Sequence, residues 1–293
     1  MDVDPFEDLW EHVRLLSDRS RNEQIIAMLA RRAPGKVVAE IGCGTGLLSV
    51  VAARLGATKV YAIEPTLQWE SAVELVQRNG LEHIVEVLPA KIEDLEPRPV
   101  DLAFSELLNA EPLAEEVCEA MQVAARWLTP DGRLAPRRLK IWAALMLEEE
   151  TSGEVERARA ALTAIQDRFD LNLGPLFSRL QGLEPYDYLR PNIRPCGPPV
   201  CIADLELGTE ARPKDHDLTA FAFEDQHVGA AAIWFEAEYD DGIVLHNGPG
   251  TPGHWGHLVC AWPEPQRASA TQGLSLRVSF EDDECRIEPT TAD

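Results

Sequence analysis

Val37-Val38-Ala39-Glu40-Ile41-Gly42-Cys43-Gly44-Thr45-Gly46-Leu47, followed after a helical run by Lys59-Val60-Tyr61-Ala62-Ile63-Glu64, decides how this chain folds. A short apolar run enters a glycine-rich turn, the turn opens a helix, and a second apolar run ends on an acid. That order describes two parallel strands joined by a helical crossover. Glycines let the backbone turn sharply and approach a ligand closely. The helix start adds unpaired N–H groups and a partial positive charge. Glu64, at the end of the second strand, stands where an acid accepts hydrogen bonds from a ribose diol.

The dinucleotide fingerprint G-x-G-x-x-G needs a glycine at position 47, which is leucine here. Instead an acid, Glu40, precedes Gly42, Gly44 and Gly46 in the spacing E-x-G-x-G-x-G. This form resembles the first motif of S-adenosylmethionine (SAM) methyltransferases. From this stretch alone, a Rossmann-like unit that binds NAD, or binds nothing, stays open.

Outward from this unit the pattern continues. Residues 6–32 read as helical, with Asp18 or Ser20 as a cap and Pro34-Gly35 as the break before the first strand. Residues 68–79 read as a helix and Ile84–Leu88 as a strand. Val100–Glu106 reads as a buried strand and 112–128 as a helix that stops at Thr129-Pro130-Asp131-Gly132. Ligands of open parallel sheets lie beyond the carboxyl ends of the strands, where Glu40, Glu64, Glu93 and Glu106 all fall.

From Arg137 the period changes. Leu139–Leu147 is strand-like, Glu148–Asp167 is charged and helical, and Phe169–Pro199 is rich in proline, leucine and aromatics with little regular period. Beyond Val200, short strands recur between turn residues, with Asp240-Asp241-Gly242 as a hairpin signal. The expectation is an α/β plus β architecture. Residues 1–136 form N-terminal helices and a Rossmann-like domain, and residues 137–293 form a β-barrel-like domain with an arm near 168–195.

The chain has 293 residues and a net charge of −23. That charge disfavours nucleic acid and anionic membranes, whose binding rests on cationic protein surface, and favours cationic substrates. Six cysteines lack C-x-x-C spacing, so neither a zinc site nor a disulfide framework is indicated, and no metal is expected. The acidic start and the lack of an apolar run of about 18 residues predict a cytoplasmic protein without a membrane span.

One loop stands out: Ser105-Glu106-Leu107-Leu108-Asn109-Ala110-Glu111-Pro112-Leu113-Ala114-Glu115-Glu116. Glu106 and Glu115 are nine positions apart, on a loop that leaves a strand end. Folded to face each other, two carboxylates grip a guanidinium through planar, forked hydrogen bonds.

With this loop the resemblance becomes specific. The chain resembles the protein arginine N-methyltransferases, and in motif the monomethylating branch most closely, in the same order over most of residues 6–289. Leu16-x-Asp18-x-x-Arg21-Asn22 is similar to that branch's N-terminal motif, and Ile92-Glu93 to the pair that contacts adenine. Glu106 and Glu115 resemble the double-glutamate loop, and Gly253-His254-Trp255 resembles the Thr-His-Trp loop. Three departures stand: Pro112 replaces leucine, Gly253 replaces threonine, and no tyrosine precedes Tyr61.

The resemblance implies SAM as cofactor, held by Glu40, Gly42, Gly44, Gly46, Glu64, Ile92 and Glu93, with Arg21 pairing with its carboxylate. It implies a guanidino substrate, protein-bound, free or small, held by Glu106 and Glu115 with Trp255 as a pocket wall. Asp18 and His254 would meet across the domains and join the two glutamates as catalytic groups. The arm implies a homodimer. Two other readings remain open: SAM-dependent methylation of a different small nucleophile, and a catalytically silent scaffold partner.

Overall fold

The computed structural model describes residues 13, 15–147, 160–176, 188–190, 193–251, 253–281 and 284–290. Helix α1 (Arg19–Arg32) precedes strand β1 (Val37–Ile41); α2 (Leu47–Arg54), β2 (Lys59–Ile63), α3 (Gln68–Arg78), β3 (Val85–Leu88), β4 (Val100–Ser105), α4 (Val117–Ala125) and β5 (Leu128–Ala135) follow. Their five strands form one parallel sheet in the order β3-β2-β1-β4-β5. The two faces of the central strands are both apolar, as a sheet covered on both sides requires. Val38, Val60, Ala62, Leu102 and Phe104 face a core shared with α1 and α2. Ala39, Ile41, Ile63 and Ala103 face α4 and Trp127.

Helix α1 forms because Ile25, Met28 and Leu29 recur on one face. All three are fully buried, each worth roughly 1.5–3 kcal/mol. Asp18 is its N-cap, accepting the Arg21 N–H at 3.0 Å, and Gly35 turns the chain away with φ of 73°.

Two expectations about the first sheet need correction. The helix read at 112–128 starts at Val117 and ends at Ala125, because Glu116 adopts a left-handed φ of 54° that no α-helix continues through. Thr129–Gly132 is not a helix end but lies inside β5. It bulges out where the register jumps from Val100↔Leu128 to Leu102↔Arg133.

Pro136 and Arg137 lead from β5 into β6 (Arg138–Leu147), the first of the antiparallel strands. Strands β7 (Tyr188–Arg190), β8 (Val200–Glu206), β9 (His216–Ala220), β10 (Gln226–Asp240), β11 (Ile243–His246), β12 (His257–Ala268), β13 (Leu274–Glu281) and β14 (Glu284–Pro289) follow. One sheet runs β7-β12-β10-β6-β8, with β11 on β10; a second runs β14-β13-β9. Residues 160–169 are helical, in line with the charged helix read there. The earlier stretch of that helix, most of residues 6–14 including Phe6 and Trp10, and much of the 168–195 arm lie outside the described residues. Among the described residues no helix is long and apolar enough to cross a membrane, and none of the six cysteines forms a disulfide.

The two domains meet along helix α1, at helix α4 and at the carboxyl end of β4. The Asp240 carboxylate at the end of β10 accepts Arg32 of α1 at 2.6 Å, and Arg212 pairs with Glu119 of α4 at 2.6 Å. The Tyr239 hydroxyl donates to the Ser105 carbonyl at 2.7 Å. These contacts position everything described next.

Candidate active site

Gly42, Gly44 and Gly46 all have positive φ, and two of them have no room for a side chain. A Cβ on Gly42 would lie 2.6 Å from Leu107 Cδ2, and one on Gly46 would lie 2.9 Å from Ala72 Cβ. The glycine turn therefore packs directly on Leu107, the residue after Glu106. Glu64 fixes the turn from the side: its carboxylate accepts the Gly44 N–H at 2.7 Å and the Thr66 N–H at 2.9 Å. Beneath it Glu40 is fully enclosed and accepts the Ser49 hydroxyl. Burial pushes the Glu40 carboxyl up to about 8, only partly offset by that hydrogen bond and by Arg21.

Glu40, Gly42, Gly44, Glu64 and Thr66 line a cavity of about 320 Å³ whose other walls include Leu15, Arg21, Glu106 and Glu115. Four carboxylates thus surround one space, and Arg21 is the one cation among the described residues that line it. Arg21 Nε donates to Glu106 Oε2 at 2.6 Å, and Nη2 donates to the same oxygen. Both side chains are almost completely buried. Burial raises the Glu106 carboxyl above its usual range, and the Arg21 charge counters it without cancelling it. Breaking such a pair by removing one partner costs about 3–5 kcal/mol. Glu106 Oε1, also buried, has no hydrogen-bond partner among the described residues.

Glu115 stands across the loop, its Oε1 accepting Asn109 Nδ2 at 3.2 Å. Glu115 is exposed as a residue, but the protein packed around its carboxyl, and then the neighbouring Glu106 charge, push that carboxyl up to about 7. The second domain closes the site. His254 Nδ1 lies 3.0 Å from Asp18 Oδ2, and the His254 backbone N–H donates to the same oxygen at 3.1 Å. Burial acts to raise the Asp18 carboxyl, but hydrogen bonds from Arg21 and His254 outweigh it and hold the group below its ordinary value. With Asp18 ionised, Nδ1 of His254 is the donor of this pair. Trp255 is buried edge-on against Phe235, with ring centroids 5.1 Å apart. A side chain on Gly253 would crowd it and Asp18: a Cβ there would lie 3.3 Å from the indole and 3.4 Å from Asp18 Oδ2.

Residues 24–136 match the family model of ribosomal protein L11 methyltransferase (PrmA). Over 93% of its length the chain is 26% identical to protein arginine N-methyltransferase PRMT10 of Oryza sativa subsp. japonica, covering 80% of that protein. It is 28% identical over 94% of its length to arginine N(omega)-methyltransferase of Streptomyces achromogenes subsp. streptozoticus, covering 77% of it. Among solved structures, Arabidopsis thaliana protein arginine methyltransferase 10 superposes with a TM-score of 0.75 at 22% identity, over 97% of this chain and 95% of that one. The chain is similar to these arginine methyltransferases over nearly its whole length. The Trypanosoma brucei PRMT1 enzyme–prozyme complex with AdoHcy superposes with a TM-score of 0.76 at 22% identity over 96% of this chain and 93% of that one.

The structure brings Arg21, Glu40, Gly42, Gly44, Glu64, Glu106 and Glu115 to one cavity. Asp18, His254 and Trp255 are not among its lining residues; they meet one another, and His254 and Trp255 act on the Glu106 carboxyl. Gly46 ends the turn as the cap of α2. Ile92 and Glu93 sit apart from the cavity lining: Ile92 is buried in the core beneath α4, and Glu93 is exposed on the turn after β3. Two site residues escaped the sequence reading. Asn109 was visible only as a member of the acidic loop, although an amide between two acids signals a partner for one of them. Tyr239 reads as an ordinary strand residue, and nothing local announces where its hydroxyl goes.

Proposed function

We propose that this chain is a SAM-dependent N-methyltransferase that places a methyl group on a guanidino nitrogen of arginine, protein-bound or free, or of a related small guanidine. One observation carries the reading: Glu106 already holds a guanidinium, that of Arg21, through one carboxylate oxygen, while its other oxygen and Glu115 face the same cavity unsaturated by cations. A carboxylate that binds the chain's own guanidinium through two N–H groups on one oxygen has the chemistry to bind another.

The glycine turn, Glu64 and Arg21 suit an adenosyl amino acid. The tight glycine turn lets the backbone come close to a ligand in the cavity, Glu64 offers lone pairs to a diol, and Arg21 offers a cation to a carboxylate. Bound there, SAM supplies an electrophilic methyl group. The chain's own residues do the rest. Glu106 and Glu115 hold the substrate cation and aim one terminal nitrogen along the transfer line, so proximity contributes much of the rate. A guanidinium, with a pKa above about 12, is not deprotonated in advance. The carboxylates instead draw its positive charge toward the nitrogens they touch and leave the third better able to attack. Once the new bond forms, that nitrogen is more acidic, and the proton can pass to Glu115, whose carboxyl lies near neutrality, or to His254.

The finer expectations belong to the same proposal. The 168–195 segment acts as a dimerisation arm, supported by the exposed Phe169, Leu171 and Leu176 on its described stretch. The protein works in the reducing cytoplasm, a reading its six free thiols support. Its acidic surface keeps it off nucleic acid and anionic membranes.

Incubation with methyl-labelled SAM and a panel of free arginine, small guanidines and arginine peptides tests the reading by product mass. Methylated guanidine is expected, and Glu106→Gln and Glu115→Gln should each lower turnover at least about tenfold. Methyl transfer to another chemical group, or full activity in both variants, overturns it.

A further inference from the structure

Tyr239 is the last residue but one of strand β10 in the second domain, is 3% exposed, and does not line the cavity. Among the described residues its side chain makes one hydrogen bond, 2.7 Å from its hydroxyl to the backbone carbonyl of Ser105. Ser105 is the last residue of β4; its Cα pairs with Ile41, the last residue before the glycine turn, and the next residue is Glu106. Beyond it the chain leaves the sheet, and the buried carbonyl takes its donor from the other domain. The Ser105 hydroxyl is engaged separately, accepting the Leu107 N–H at 3.2 Å. Tyr239 is itself anchored, because the adjacent Asp240 accepts Arg32 of α1 at 2.6 Å.

We infer that Tyr239 is a positioning residue for the guanidinium site: its hydroxyl, reaching from the second domain, fixes the peptide that carries Glu106. This rests on the guanidino-methyltransferase reading above. The argument is geometric. The Glu106 carboxylate is held by the Arg21 guanidinium, with the Trp255 indole and His254 also favouring its charge, and all three act through side chains. The rigid constraint on where the carboxylate points is therefore its backbone, and the Ser105–Glu106 peptide is fixed on the sheet side by β1 and on the domain side by Tyr239. Burial, with the Glu106 charge adding to it, keeps the phenol protonated well above its ordinary range, so the donor persists over all working pH. A phenylalanine would fill the same space and leave the carbonyl orphaned, allowing the peptide to rotate.

The test is a double-mutant cycle between Tyr239→Phe and Glu106→Gln, with melting temperature and S-adenosylhomocysteine affinity measured on each protein. Tyr239→Phe alone should lower kcat about three- to tenfold, the size of one lost net hydrogen bond expressed as a rate. The cofactor-product affinity should stay within about twofold, since Tyr239 touches no part of that wall. In the Glu106→Gln background, Tyr239→Phe should cost little more, because the group it positions is already disabled. An equal fractional loss in both backgrounds would mean general destabilisation and overturn the inference, as would a parent-like kcat for Tyr239→Phe. Calorimetry with arginine at saturating S-adenosylhomocysteine separates the two levels. A parent protein that neither binds nor methylates any guanidine removes the functional reading and this inference with it. A parent that does both while Tyr239→Phe changes nothing removes this inference alone.

Discussion

Glu115 is a carboxyl poised near neutrality, and that has a consequence for the pH dependence of the reaction. In the free enzyme it is protonated below about 7 and ionised above. A cationic substrate needs the ionised form, so kcat/KM should rise as pH passes from about 6 to about 8. A bound guanidinium favours the carboxylate, so the corresponding limb of kcat should lie at lower pH. The two profiles of the parent enzyme check this, and a flat kcat/KM over that range would contradict it. Glu40 makes a stability prediction of the same kind. Its folded-state value is raised to about 8 from the ordinary 4.5. Between those values the native state binds more protons than the unfolded one, and stability is lost as pH rises through the window. Thermal melting of the ligand-free protein should therefore fall more steeply with pH in the parent than in Glu40→Gln. At this scale the sequence was informative where spacing encodes geometry, as for Glu106 and Glu115 on one loop. It was silent on Tyr239, whose role exists only because two domains pack, and on the carboxyl values, which are products of burial.

Helix α1 is the element on which the site depends, since it carries Arg21 and is held at both ends by the second domain. Asp18 performs two tasks there: one carboxylate oxygen caps the helix and the other receives His254. Asparagine caps as well as aspartate but carries no charge, so Asp18→Asn should keep the melting temperature and lower turnover. Asp18→Ala should in addition lose about 1 kcal/mol of stability. Parent-like turnover in Asp18→Asn would show that the charge on Asp18 is dispensable. The helix and its cap were legible in advance because apolar spacing and an N-cap residue are local signals. The start of α4 was not, because the left-handed Glu116 is imposed by the loop that precedes it. Strand β14 was missed although Cys285 and Ile287 alternate with Glu284, Arg286 and Glu288; the run is short, and only its pairing with β13 makes it a strand.

For the whole molecule, the centre of the parallel sheet was readable because β1, β2 and β4 are largely apolar runs that lead into a glycine or an acid, whereas β5, with residues 129–133 inside it, gave no such signal. The division of the second domain into two sheets was not readable, since hairpins look alike until their partners are known. Ile165, Phe169, Leu171 and Leu176 are 42–59% exposed in the single chain, an apolar set that a lone protomer leaves in water. Sedimentation at micromolar concentration should give a dimer, and Phe169→Asp with Leu176→Asp should shift it to monomer with loss of activity. A monomeric parent with full activity would end the arm reading.

The contacts that join the two domains also fix when, in the life of the chain, the site can exist. Asp18 meets His254 across 236 positions, Arg32 meets Asp240 across 208, and Ser105 meets Tyr239 across 134. Loops of such length close late, after local helices and neighbouring strands have formed. A growing chain can therefore complete its parallel sheet and glycine turn well before its His254 loop has been synthesised, and partial products carry a cofactor wall without the rest of the site. Full-length protein diluted from denaturant should regain helical ellipticity first and methyl transfer only in its slowest phase. Simultaneous recovery of the two signals would show that the site assembles with the first sheet rather than after it.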